Sequence, residues 1–118
     1  MELTKQDRRV LKDIIRIGIL HRCEEWLAET STLISKEYGD DENAFERCME
    51  VTRRSRDFFK EAMRRENYYR NTMIELGIED LLFEGYLTEA DFVGCREELR
   101  TYIMERHQQL KNMRLKEQ

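Results

Sequence analysis

A heptad register runs unbroken for more than thirty residues through the middle of this chain. Its members recur at alternating steps of three and four, which is the stripe that one helix presents to another. The sequence contains 0 Pro, so no residue forces such a helix to stop. The register therefore predicts a long helix packed against other helices through Phe45, Cys48, Thr52, Ser55, Phe59, Ala62, Glu66, Tyr69, Met73 and Leu76.

The composition fits a single helical domain over residues 1–118. A chain of 118 residues is long enough to bury a hydrophobic core without disulfides or metals. Hydrophobic residues make up 40% and charged residues 39%, which is too apolar for a disordered chain and too charged for a compact β protein. This balance is typical of long helices with one hydrated face.

Local signals divide the chain into helices. Thr4, followed by Asp7, predicts the N-cap of a first helix that ends before Gly39, with Thr30–Thr32 as a weak patch where it could bend. Gly77 is the expected end of the heptad helix.

Two further helices are expected after the heptad helix. A short one covers residues 78–84, and Thr88 with Asp91 caps the last long helix. Because the turns are short, the three long helices should pack antiparallel. The sequence thus predicts an all-α, up-down-up bundle of three long helices with a short fourth helix before the last.

The charge and the cysteines argue against several classes of protein. A net charge of −4 gives no general affinity for nucleic acid or for an anionic membrane. The 3 Cys lie within helical stretches and lack CxxC spacing, which favours reduced thiols over a zinc site. With no signal-peptide pattern and no apolar run of about 20 residues, the expected location is the cytoplasm.

No catalytic or cofactor-binding motif is present. The sequence lacks Gly-x-Ser-x-Gly, GxGxxG and GxxxxGK[ST] patterns. His21 and Glu25 share a helix face, but neither His stands in the Glu-x-x-His motif of carboxylate-bridged metal bundles. We therefore expect no enzymatic activity, no cofactor and no metal.

Glu66 is the one acidic residue of the heptad stripe. A buried carboxylate is costly unless it is paired. It could pair with His21 or with an Arg from another helix, or it could reach solvent near an open end of the bundle. A carboxylate that reaches solvent is the more usual arrangement in a slim bundle.

A row of basic residues marks one face of the second long helix. Arg53, Arg56, Lys60 and Arg64 step by three and four, and Tyr68 stands at the end of the row. Such a row could follow a phosphate backbone, with the tyrosine available for stacking. A hydrated, salt-bridged helix face is the commoner explanation.

Apolar side chains exceed what one helix seam can use. Val51, Phe58 and Met63 flank the heptad stripe and are the candidate partner-binding residues. The leading hypothesis is a non-catalytic helical protein–protein interaction or regulatory protein, which associates with itself as a homo-oligomer or with another helical protein. The alternative is a nucleic-acid-associated regulator that binds phosphates through Arg53, Arg56, Lys60, Arg64 and Tyr68.

Overall fold

A computed structural model describes residues 1–35 and 41–117, and the side chains of residues 41–43 are outside this description. The all-α helical bundle expected from the sequence is confirmed. Its elements are α1 (Lys5–Ser35), α2 (Asp41–Asn71), α3 (Ile74–Phe83), a short 3-10 helix (Glu89–Phe92) and α4 (Glu97–Glu117). The up-down-up order of the three long helices stays a prediction.

Helices α1 and α2 form a long antiparallel hairpin. The rings of Trp26 and Phe58 stack with centroids 4.8 Å apart. Closer to the start of α1, Arg16 donates from Nη1 to Oε1 of Glu66 over 2.9 Å. Earlier residues of α1 therefore contact later residues of α2, as expected for antiparallel helices.

The hydrophobic core occupies only one end of this hairpin. Helix α3 packs across that end, and α4 adds Leu99 and Ile103. In the described part of the chain, no fully buried apolar residue lies between positions 20 and 68. We call the core-bearing end the base, and we call residues 20–35 of α1 with residues 44–63 of α2 the arm. The core consists of Leu11, Ile14, Ile15, Ile19, Tyr69, Ile78, Leu81, Leu82, Leu87, Phe92, Leu99 and Ile103.

The two predicted caps form the same reciprocal pattern. The Thr4 amide donates to Oδ2 of Asp7 and the Asp7 amide donates to Oγ1 of Thr4, each over 3.0 Å. Thr88 and Asp91 make the second capping box. The prediction that Thr88 caps the last long helix was wrong, because Thr88 caps the 3-10 helix and α4 begins only at Glu97.

Gly77 does not end the heptad helix. That helix ends at Asn71, and Gly77 lies inside α3, which starts at Ile74. The glycine is needed for close packing, because a Cβ at this position would stand 2.6 Å from Cβ and Cγ of Tyr69. Gly39, the expected end of the first helix, lies outside the described residues. Helix α1 itself runs without a break through Thr30–Thr32.

The heptad stripe of α2 is buried only in its second half. Glu66 and Tyr69 are buried and Ala62 packs against the core, whereas Phe45 and Phe59 are exposed. The expectation that the whole stripe forms one packed seam was wrong. A straight helix turns about 20° per heptad relative to such a stripe. Over the more than three heptads from Tyr69 back to Phe45, this drift carries the stripe away from α1.

Ionic contacts help to hold the elements of the base together. Arg96 donates from Nε and Nη2 to the two carboxylate oxygens of Asp7, each over 2.9 Å, and ties the start of α4 to α1. The Arg96 hydrogen bonds, followed by the Thr4 amide, hold the pKa of Asp7 well below its usual range. Glu66 is buried and accepts hydrogen bonds from Arg16 and Arg70, so it is paired rather than solvated.

Across residues 1–35 and 41–117, no helix combines the length and the apolar character needed to cross a lipid bilayer.

Candidate interaction surface

The inner seam of the arm is narrow. Trp26 and Phe58 lie nearly parallel, at 9°, and the Arg22 guanidinium sits 4.9 Å from the centroid of the Phe58 ring. Farther out, Leu33 and Val51 line one small cleft between the helices. A single line of side chains therefore joins α1 to α2 in the arm.

Large apolar side chains also cover the outside of the arm. Phe45 is 70% exposed, Phe59 is 65% exposed and Leu27 is 61% exposed. Single exposed hydrophobic residues are ordinary, but a contiguous group of them marks a binding surface. We define the apolar face of the arm by Leu20, Leu27 and Ile34 of α1 with Phe45, Met49, Phe59 and Met63 of α2.

Most of these side chains lie on one side of the hairpin. A helix turns about 100° per residue, which places the α1 stripe about 80–120° beyond Trp26. On α2 the stripe lies about 100–140° beyond Phe58, except Met49, which lies at about 180° on the outer edge. In both helices the apolar stripe is rotated in the same sense, along the chain, from the residues that face the other helix. Because α1 and α2 are antiparallel, this rotation turns both stripes toward the same side of the hairpin. The Arg16–Glu66 contact supports this assignment, since these residues continue the two stripes into the base and touch each other.

The opposite side of the hairpin is covered where the arm meets the base. His21 Nδ1 donates to the carbonyl oxygen of Tyr86 over 2.7 Å. The Tyr86 hydroxyl donates to Glu25 over 2.9 Å, and burial together with this carboxylate raises the pKa of Tyr86. Arg65 reaches across to Glu84. His21 and Glu25, which the sequence places on one helix face, are thus used to hold the segment after α3.

The two stripes also match in height along the arm. The stacking of Trp26 on Phe58 sets the register of the two antiparallel helices. A residue that precedes Trp26 by a given number of positions therefore lies at the same height along the arm as the residue that follows Phe58 by the same number. Leu20 is therefore level with the turn that carries Met63. By the same count, Ile34 is level with the turn that carries Met49. Three layers of the face therefore contain one side chain from α1 and one from α2, and Phe45 lies beyond them on α2.

Charged residues of opposite sign border this face. Glu24 lies on the outer edge of α1, and Arg56 and Lys60 lie toward the outer edge of α2. All three are exposed and make no hydrogen bond or ion pair with the residues that the structure describes. Their charges are therefore available to a binding partner.

The structure brings the predicted basic row together on the outside of α2. Arg56, Lys60 and Arg64 make no ion pair within the described ranges, whereas Arg53 donates to Glu50 over 2.5 Å. Tyr68 is about half exposed. The row thus has three available cations rather than four.

The predicted partner-binding residues occupy two different environments. Val51 and Phe58 are half-buried in the seam between α1 and α2, whereas Met63 is exposed on the apolar face. Their role in partner binding stays a prediction. Sequence reasoning assigned Phe45 and Phe59 to packing within the chain, as members of the heptad stripe. The seven-residue spacing of Leu20, Leu27 and Ile34 was the available signal for a second stripe.

The base carries polar clusters of another kind. The Tyr69 hydroxyl donates to Asp80 over 2.6 Å and accepts from Arg65 Nε over 3.0 Å, and burial together with the Asp80 contact raises the pKa of Tyr69. A cleft of about 840 Å³ lies between the end of α2, α3 and α4. Two of its acids are engaged, Glu75 with Arg106 and Glu79 with His107.

Within residues 1–35 and 41–117, no three His, Cys, Asp or Glu side chains group in a way that could hold a metal ion. Comparison with protein-family models, with curated proteins and with solved structures finds no match to this chain.

Proposed function

We propose that this protein is a non-catalytic helical interaction protein that binds another helical chain through the apolar face of the arm. One observation carries the proposal: seven large apolar side chains, all about half exposed or more, lie along one side and the adjoining outer edge of a two-helix hairpin. Two antiparallel helices with layered apolar side chains form a shallow groove. An amphipathic helix laid into such a groove buries its own apolar stripe.

The energetics favour a partner. Fully burying one large apolar side chain is worth about 1.5–3 kcal/mol relative to leaving it exposed. Even half of that value, summed over the seven side chains of the face, is of the order needed to offset the cost of association. An isolated arm would be better hydrated with charged residues at these seven positions, as it is at its outer edges. The apolar residues at the seven positions therefore favour a covered face.

Site-specific photo-crosslinking in cells that make the full chain tests the proposal. A benzophenone amino acid in place of Phe59 should give adducts of defined mass. The same amino acid in place of Val93 should not give them, because Val93 is an equally exposed apolar residue (68%) outside the arm. Leu27→Ser should reduce the Phe59 adducts, since it removes apolar area from the same face. Identical adducts from both positions, or none from position 59, would contradict the proposal.

The available cations of α2 favour a second candidate, a nucleic-acid-associated regulator. Arg56, Lys60 and Arg64 could contact successive phosphates, and Tyr68 could stack on a base. Single-stranded RNA and DNA should then bind at low salt, with an affinity that falls steeply as salt is raised. Arg56→Glu combined with Arg64→Glu should abolish the binding. The absence of any binding by the unaltered chain at low salt would remove this candidate.

A further inference from the structure

The apolar face of the arm has two properties that together indicate what covers it. Three of its layers contain one side chain from α1 and one from α2 at the same height, and its two edges carry opposite charges at the same height. Lys60 is two residues after Phe58, and Glu24 is two residues before Trp26, so the two lie level. They stand on opposite edges of the face and cannot reach each other within one chain.

We propose that a second copy of this chain covers the face, with a two-fold axis parallel to the arm and Glu24 of each copy opposite Lys60 of the other. This proposal rests on the proposed function and names its partner. Rotation about such an axis places α1 of one copy over α2 of the other at the same height. Each helix then has antiparallel neighbours, as in a four-helix bundle.

Charge selects this arrangement over the other symmetric one. A two-fold axis perpendicular to the arm would stack α1 on α1 and α2 on α2. The basic edges bearing Arg56 and Lys60 would then face each other, and like charges in close apposition are unfavourable. With the axis along the arm, the acidic edge of each copy meets the basic edge of the other. Both ion pairs form at once, because the symmetry repeats every contact.

The available area suffices for a specific dimer. On α2 the face extends over 19 residues from Phe45 to Met63, or about 27 Å, and on α1 it extends from Leu20 to Ile34, or about 21 Å, with each helix about 10 Å wide. Each copy thus contributes about 480 Å² before the roughness of the surface is counted. With that roughness, the total reaches the roughly 1,000 Å² that a specific interface requires.

Sedimentation velocity on the purified full chain, from about 1 to 100 µM, tests the proposal. The unaltered protein should sediment as a dimer at the upper concentrations. Leu27→Ser combined with Phe59→Ser should give a monomer with an unchanged far-UV circular dichroism spectrum, because both side chains are exposed. Val93→Ser is the matched control and should remain dimeric.

Charge reversal tests the arrangement of the copies. Glu24→Lys alone and Lys60→Glu alone should each raise the dimer Kd about tenfold, since each reverses two exposed pairs in the symmetric dimer. The two changes in one chain should restore the Kd to near its original value. A dimer that the serine variants disrupt, but that the double reversal does not restore, would overturn this arrangement.

A protein that remains monomeric at 100 µM would overturn the second copy as partner. The proposed function would survive that result if crosslinking from position 59 still gave adducts with a different protein. It would fail together with this proposal only if those adducts were also absent.

Discussion

Gly77→Ala should destabilise the protein although Gly77 lies within a helix, where alanine is normally preferred. The new methyl group would stand 2.6 Å from Cβ and Cγ of Tyr69. Carbon atoms in contact are about 3.5–4.0 Å apart, so the groups must separate by about 1 Å. Rotating the Tyr69 ring gives no relief, because its Cβ is fixed to the backbone of α2. Helix α3 must therefore shift away from α2.

The size of the effect follows from three contributions. Overpacking of this kind costs about 1–3 kcal/mol. A shift of α3 also strains the 2.6 Å hydrogen bond from Tyr69 to Asp80, which is worth about 1 kcal/mol. The better helix propensity of alanine returns about 1 kcal/mol. We expect a net loss of about 2 kcal/mol in the free energy of unfolding, or a Tm about 8 °C lower for a domain of this size.

Thermal melts followed by circular dichroism measure this shift. Gly94→Ala is the matched control, because no atom beyond its two chain neighbours lies within 4 Å of the position its Cβ would take, and its φ is not positive. The control should melt within about 2 °C of the unaltered protein. If Gly77→Ala melts at or above the temperature of the unaltered protein, then the close contact between α2 and α3 is not as described.

Two further predictions concern the ionic contacts of the base. Asp7→Asn should lower the Tm at pH 7. The difference in Tm between the variant and the unaltered protein should shrink as the pH falls below about 4. The pKa of Asp7 is lower in the folded chain than in the unfolded chain, so its carboxylate contributes full stability only above the unfolded-state pKa. That stability is lost as the pH falls toward the folded-state pKa and the carboxylate protonates. An equal loss of Tm for this variant at pH 7 and pH 2 would contradict the carboxylate contact with Arg96. Glu66→Gln should lower the free energy of unfolding in urea by about 1–2 kcal/mol, because it weakens charged hydrogen bonds at a buried site. Arg16→Gln should lower the free energy of unfolding by less than about 1 kcal/mol, because this side chain is 54% exposed. Equal losses for Glu66→Gln and Arg16→Gln would be inconsistent with the burial of Glu66.

The sequence predicted local structure better than it predicted which surfaces are covered. Both capping boxes formed as their Thr and Asp spacing indicates, because a cap depends on four consecutive residues. Gly77 was misassigned as a helix end, since a glycine needed for close packing and a glycine that ends a helix cannot be distinguished in one sequence. A side chain at position 77 would collide with Tyr69, and these two residues are close to each other only in the folded chain.

The candidate site was predictable in composition but not in location. An excess of apolar residues over one seam is visible in the sequence, and so is the basic row of α2. The heptad stripe, however, drifts around the helix, so that the same repeat faces the core at Tyr69 and solvent at Phe45. Which part of a stripe is covered depends on where α3 packs, and no local pattern specifies that position.

The division between base and arm determines what spectroscopy can report about this molecule. Trp26 is the single tryptophan of the chain, and it stacks on Phe58 in the arm rather than in the core. Tryptophan emission therefore records the separation of α1 from α2 in the arm, whereas the amide signal near 222 nm records all the helices. The two signals can follow different denaturation curves without an intermediate in the core itself. A coincident pair of curves would mean that the arm and the base unfold as one cooperative unit.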